Sequence, residues 1–142
     1  MQNRAVILFA LLATTLTTSL AWADKPTAPE TIEGATSLTA EEVVKLILSE
    51  PKLVIIDSRK EEEFTKGHIE GAINLLDTSM DQASLARSAP DKDTPLLFYC
   101  NGIRCLRSSN ATQKALEWGY NRLYWFRGGW VEWQEKRLPM AR

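Results

Sequence analysis

The 142-residue sequence holds one histidine and two cysteines. That is too few, and too scattered, for a convincing zinc site. Two cysteines make at most one disulfide, so the chain is not a disulfide-stapled scaffold and needs an apolar core to fold. An excess of charge of one sign is also missing: 17 Lys and Arg oppose 18 Asp and Glu, for a net charge of −1. That balance gives no pull on nucleic acid or on an acidic surface. Beyond residue 23 no apolar run is long enough to span a bilayer.

What is present starts with an address. "MQNRAVILFALLATTLTTSLAWA" places Arg4 before an apolar stretch from Ala5 to about Leu12, then Thr and Ser, then Ala21-Trp22-Ala23. A charged start, a short greasy core and an A-x-A site form the layout of a secretory signal peptide. Residues 1–23 are therefore expected to be cleaved rather than kept as an anchor. No cysteine follows directly, which argues against lipid attachment. The expected destination is secretion, to a bacterial periplasm, with no membrane role after cleavage. The remainder suits one domain.

Residues 24–36, "DKPTAPETIEGAT", carry Pro26, Pro29 and Gly34 without apolar periodicity and read as a linker or loosely held arm. The domain is expected over 37–142. Thr39 and Glu42 form a capping box that opens a helix over 40–49, with Val43, Leu46 and Ile47 on its apolar face. "KLVIIDSR" reads as a buried strand ending at Asp57, "KEEEFTKGH" as a helical turn stopped by Gly67, and "HIEGAINL" as a second short strand. One helix is expected between Asp77 and Asp93. "PLLFYC" is a further buried strand. Leu106, Ser108, Ala111, Ala115 and Trp118 then recur at helical spacing up to Gly119. "NRLYWF", "RGG" and "WVEWQEKR" read as a last strand, a turn and a closing helix. Strands alternating with helices predict an α/β fold: a small central, largely parallel sheet flanked by helices. Ligands in such sheets sit beyond the carboxyl ends of the strands. The residues delivered there are Asp57-Ser58-Arg59, Asn74, Cys100 to Cys105, and Arg127-Gly128-Gly129.

Cys100 ends a strand, and a helix begins a few residues later. Unpaired amides and the dipole at a helix N-terminus favour a thiolate, and nearby guanidinium groups favour it further. Gly102 allows a tight turn with several N–H groups pointing inward, as in an anion nest. Arg104 and Arg107 are placed to hold an oxyanion beside the sulfur. The same residues also fit a blander pattern: a small buried cysteine before a turn, with two solvated arginines.

Three motifs decide between these patterns. "VIIDSRKEEEFTKGHIEGAINL", "LLFYCNGIRCLRSS" and "FRGGWVEW" together resemble the rhodanese-like domain family across 37–133. The resemblance implies a thiosulfate sulfurtransferase with Cys100 as the catalytic nucleophile. Sulfane sulfur would pass from a small anionic donor, through a Cys100 persulfide, to cyanide or a thiol, with no separate cofactor. Asn101, Gly102, Ile103, Arg104, Cys105 and Arg107 would form the substrate-binding loop. Asp57, Arg59, His68, Gly128 and Gly129 would be structural, with His68 in a turn bonded to backbone. A monomer is expected. Related phosphatases and arsenate reductases carry a longer loop with Arg six residues after the cysteine; position 106 here is Leu.

Cys105 departs from the family, which has a small or polar residue there. It could pin the helix start as a small buried side chain. It could instead resolve a persulfide by joining Cys100, making a redox-cycling protein served by a periplasmic thiol protein. A sulfane-sulfur binding module with little turnover is the other alternative. Trp125, Phe126 and Trp130 flank the Gly-Gly turn, where they could rim the cleft and favour a protein-borne acceptor.

Overall fold

The computed structural model describes residues 24–142; the expected signal segment, 1–23, lies outside the described residues. Five strands form one parallel sheet in the order β1-β6-β5-β2-β4. They are β1 (Ala35–Ser37), β2 (Val54–Asp57), β4 (Ile73–Asn74), β5 (Leu96–Tyr99) and β6 (Leu123–Phe126). The alternation of side chains along each strand divides the core in two. Ile56, Phe98 and Trp125 face one layer, with Ala111 and Ala115 of α4 (Arg107–Glu117) and Leu85 of α3 (Gln82–Ser88). Ile55, Leu97, Tyr99 and Phe126 face the other, with Val43 of α1 (Ala40–Ser49) and Trp130 and Trp133 of α5 (Gly129–Glu135). The small residues on α4 let that helix lie close on the sheet. A short α2 (Glu61–Phe64) follows β2.

The capping box at α1 forms in both directions. The Glu42 amide donates to Thr39 Oγ1 at 3.3 Å and the Thr39 amide to Glu42 Oε2 at 2.8 Å.

Two expectations change. "HIEGAINL" is not one strand. A turn closed by the Ala72 amide on the Ile69 carbonyl (3.0 Å) splits it into β3 (His68–Ile69) and β4. β3 leaves the main sheet and pairs antiparallel with β7 (Met140–Ala141). The supposedly loose arm is also part of the domain. Ala28 and Ile32 are buried in the layer under α4, and β1 adds to the edge of β6. Two isolated apolar residues among prolines have no periodicity to read, which is why the sequence concealed them.

Candidate active site

β5 runs through the middle of the sheet between β2 and β6, and Cys100 follows its last residue. The chain then makes a six-residue loop and enters α4, with Leu106 at the N-cap position. The Cys105 amide donates to the Gly102 carbonyl at 2.9 Å and tightens the loop. The amides of Asn101, Gly102, Ile103 and Arg104 donate to no group among the described residues. Four N–H groups of one turn are therefore without a partner among the described residues, which is what an anion nest requires.

Cys100 and Cys105 are joined in a disulfide, with Cα atoms 6.2 Å apart. That separation lies within the usual range for a bridge. In this state neither sulfur is a thiolate.

A second element holds the loop from above. The Trp130 amide donates to the Cys100 carbonyl at 2.8 Å, and the Val131 amide to the Asn101 carbonyl at 2.9 Å. The Gly128-Gly129 turn makes this possible. Gly129 has φ +56°, and a Cβ there would collide with the Cys100 carbonyl oxygen. Gly129 is thus required by the approach of α5 to the cysteine loop.

Both arginines line the groove beside the loop, and each has a partner of its own. Arg104 is exposed and donates to the Lys25 carbonyl at 3.3 Å. Arg107 stands 3.6 Å from Glu63. Glu63 also accepts from the Asn101 side chain at 2.7 Å. Burial opposes its charge, but the Asn101 amide, the Lys60 backbone N–H and Arg107 outweigh that and hold its carboxyl below the ordinary value. The tie of Glu63 to Asn101 spans 38 positions and could not be read locally.

Behind the loop lies a buried polar cluster. Arg59 Nε and Nη2 donate to Asp57 at 3.0 and 2.6 Å, and Nη2 also reaches the Gly67 carbonyl at 2.7 Å. The Tyr99 hydroxyl donates to Asp57 Oδ2 at 2.5 Å and accepts from the Ile69 amide at 3.1 Å. Burial, then the charge of Asp57, push the Tyr99 phenol up, so it stays protonated as a donor. Burial works against the charge on Arg59, but the hydrogen bonds and charge of Asp57 raise its pKa overall. Arg59 lies over the Trp130 ring, 4.7 Å from its centroid. This cluster ties β2, β5 and α5 together under the loop. Asn74 adds two hydrogen bonds, to the Asp57 and Arg59 carbonyls at 3.1 and 2.8 Å. His68 stacks on Phe64 at 3.7 Å and bonds its carbonyl through Nδ1 at 2.9 Å, a turn-holding position.

Trp125 and Phe126 are fully buried and Trp130 nearly so, which places them in the core and not on a rim. The surface beside the loop is an open groove of about 1050 Å³, lined by Asn101 to Arg107 on one side and Val131 and Glu132 on the other. Among the described residues no group of three or more His, Cys, Asp or Glu could hold a metal ion.

Residues 39–136 match the rhodanese-like domain. The uncharacterized Escherichia coli protein YibN is 31% identical over 106 residues, 74% of this chain and 71% of that protein. A tRNA uridine(34) hydroxylase from Erwinia tasmaniensis is 33% identical over 109 residues, which is 68% of this chain and 29% of the hydroxylase. Among solved structures, a thiosulfate sulfurtransferase from Pseudomonas aeruginosa superposes with a TM-score of 0.66 at 28% identity, covering 76% of this chain and 20% of that one. The human single-domain sulfurtransferase TSTD1 superposes with a TM-score of 0.58 at 30% identity, covering 72% of this chain and 98% of that one.

Proposed function

The chain belongs to the rhodanese-like domain family, and from that premise we propose that its reduced form is a sulfurtransferase carrying sulfane sulfur on Cys100. The Cys100 thiolate attacks the outer sulfur of thiosulfate or a similar donor. The donor's S–S bond breaks, sulfite leaves with the electron pair, and a persulfide remains on Cys100. Cyanide or a thiol then attacks the outer sulfur and releases the Cys100 thiolate. The amides of Asn101 to Arg104 hold the charge of thiolate and persulfide. Arg104, once it leaves the Lys25 carbonyl, binds the sulfonate end of the donor. Arg107, once it parts from Glu63, contributes positive potential at the groove. No cofactor beyond the covalent persulfide is needed. The proposal includes secretion to the periplasm after cleavage at Ala23, and action as a monomer.

The observation that carries this reading is the cysteine at the end of the central strand, in a six-residue loop with four unclaimed amides. The test is intact mass after reduction, removal of reductant and addition of thiosulfate. One sulfur atom should be gained at Cys100 and discharged as thiocyanate by cyanide. Equal turnover by Cys100→Ser would refute the mechanism.

The disulfide favours a second reading, a dithiol–disulfide protein in which Cys105 displaces the persulfide sulfur from Cys100 as reduced sulfur. Cys105→Ser separates the two. It retains transfer to cyanide under the first reading, and under the second it accumulates persulfide without releasing sulfide.

A further inference from the structure

The disulfide is lopsided in its access to solvent. Cys100 is 1% exposed and does not line the groove, whereas Cys105 is half-buried and does. Thiol–disulfide exchange needs an incoming thiolate to reach one sulfur while the other departs, and it runs faster when the departing thiol has the lower pKa. Access selects Cys105 as the sulfur attacked. The unclaimed amides of Asn101 to Arg104 favour negative charge on Cys100 as it leaves. We propose that Cys105 is the exchange site through which a dithiol protein opens the disulfide and releases Cys100 as a thiolate.

The step balances. A thiolate of the partner bonds to Cys105 Sγ, the Cys100–Cys105 bond breaks, and its electron pair stays on Cys100. The partner's second thiol loses its proton to solvent and attacks the partner's own sulfur in the mixed disulfide. Cys105 departs as a thiolate and takes up a proton. The partner ends as a disulfide, and this chain gains two electrons as a dithiol.

The groove points to a protein as the reductant. Ile103, Leu106 and Val131 are 47%, 36% and 51% exposed, and all three line the groove that Cys105 opens into. The described residues hold only two other large apolar side chains this exposed, Leu48 and Met140, and neither lines this groove. A thiol reaching Cys105 from an apolar protein surface would cover these three side chains as it bonded. The inference rests on the sulfurtransferase reading only for what Cys100 does once free.

The experiment uses the full chain prepared without reductant. It is mixed with a Cys-x-x-Cys oxidoreductase whose second cysteine is replaced by Ser, then quenched with N-ethylmaleimide and mapped by peptide mass. The expected product carries the partner on Cys105 and maleimide on Cys100. Val131→Glu should slow this trapping about tenfold, the effect of setting a charge into an apolar contact, and leave reduction by dithiothreitol unchanged. A partner found on Cys100, or equally on both, overturns the assignment of Cys105. Unchanged trapping by Val131→Glu overturns the docking face. Two free thiols that diamide does not join overturn the whole inference. Sulfur transfer is read separately: trapping at Cys105 without persulfide formation would end the sulfurtransferase reading and leave this one standing.

Discussion

Gly129 and Gly119 both have positive φ, +56° and +88°, yet replacing each by Ala should have very different costs. At Gly119 no heavy atom lies within 4 Å of the added methyl. The cost there is the left-handed backbone alone, about 1–2 kcal/mol for a residue with a Cβ. At Gly129 the methyl would collide with the Cys100 carbonyl oxygen and come within 3.0 Å of the Cys100 and Asn101 carbonyl carbons. These are backbone atoms and cannot rotate away. Relief requires α5 to part from the loop, with loss of the Trp130–Cys100 and Val131–Asn101 hydrogen bonds. At about 1 kcal/mol each, these bring the total to about 3–4 kcal/mol. Denaturant unfolding of both variants gives the comparison, and persulfide loading from thiosulfate gives the local consequence. Gly129→Ala should be the less stable by about 2 kcal/mol and should load sulfur poorly, while Gly119→Ala loads normally. Equal destabilisation by the two would refute the claim that the closing turn positions the cysteine loop.

Asp57→Asn should destabilise by about 3–5 kcal/mol, because it leaves Arg59 charged and without its ion-pair partner; a loss below about 1 kcal/mol in urea unfolding would show that the cluster is solvated. Tyr99→Phe should cost less, about 1–3 kcal/mol, since it strands the Ile69 amide but takes only one donor from Asp57 Oδ2, which keeps its hydrogen bonds from Arg59. Glu63 has its folded pKa below the ordinary value of 4.5, so its contribution to stability is present above that pH and is lost as pH falls through the folded value. The stability gap between wild type and Glu63→Gln should therefore be flat at neutral pH and shrink below about pH 4.5; a gap independent of pH down to 3 would contradict it.

The strands and helices that hold the cysteine loop were legible because each carries its own pattern. Val54, Ile55 and Ile56 form one continuous apolar run and Leu96–Tyr99 another, and Ser108, Ala111 and Ala115 mark one face of α4. Thr39 and Glu42 announced a helix start that forms as written. What escaped reading is everything set by distant partners. The burial of Ala28 and Ile32, the Asn101–Glu63 bond and the clasp of α5 on Cys100 join segments tens of residues apart. The partners of the two arginines escaped for a similar reason. Sequence fixes their separation from Cys100, but Glu63 and the Lys25 carbonyl decide where their heads go.

The stretch before β1 reaches the cysteine loop directly. The Ala28 amide holds the Ile103 carbonyl at 2.7 Å, and Arg127 grips the carbonyls of Ala28 and Pro29 at 3.0 and 2.7 Å. Trimming the molecule to the residues that match the family, 39–136, would remove this brace along with β1 and β7. A tag or fusion joined at Lys25 would disturb the carbonyl that holds Arg104 of the cysteine loop, so such attachments belong at the opposite terminus.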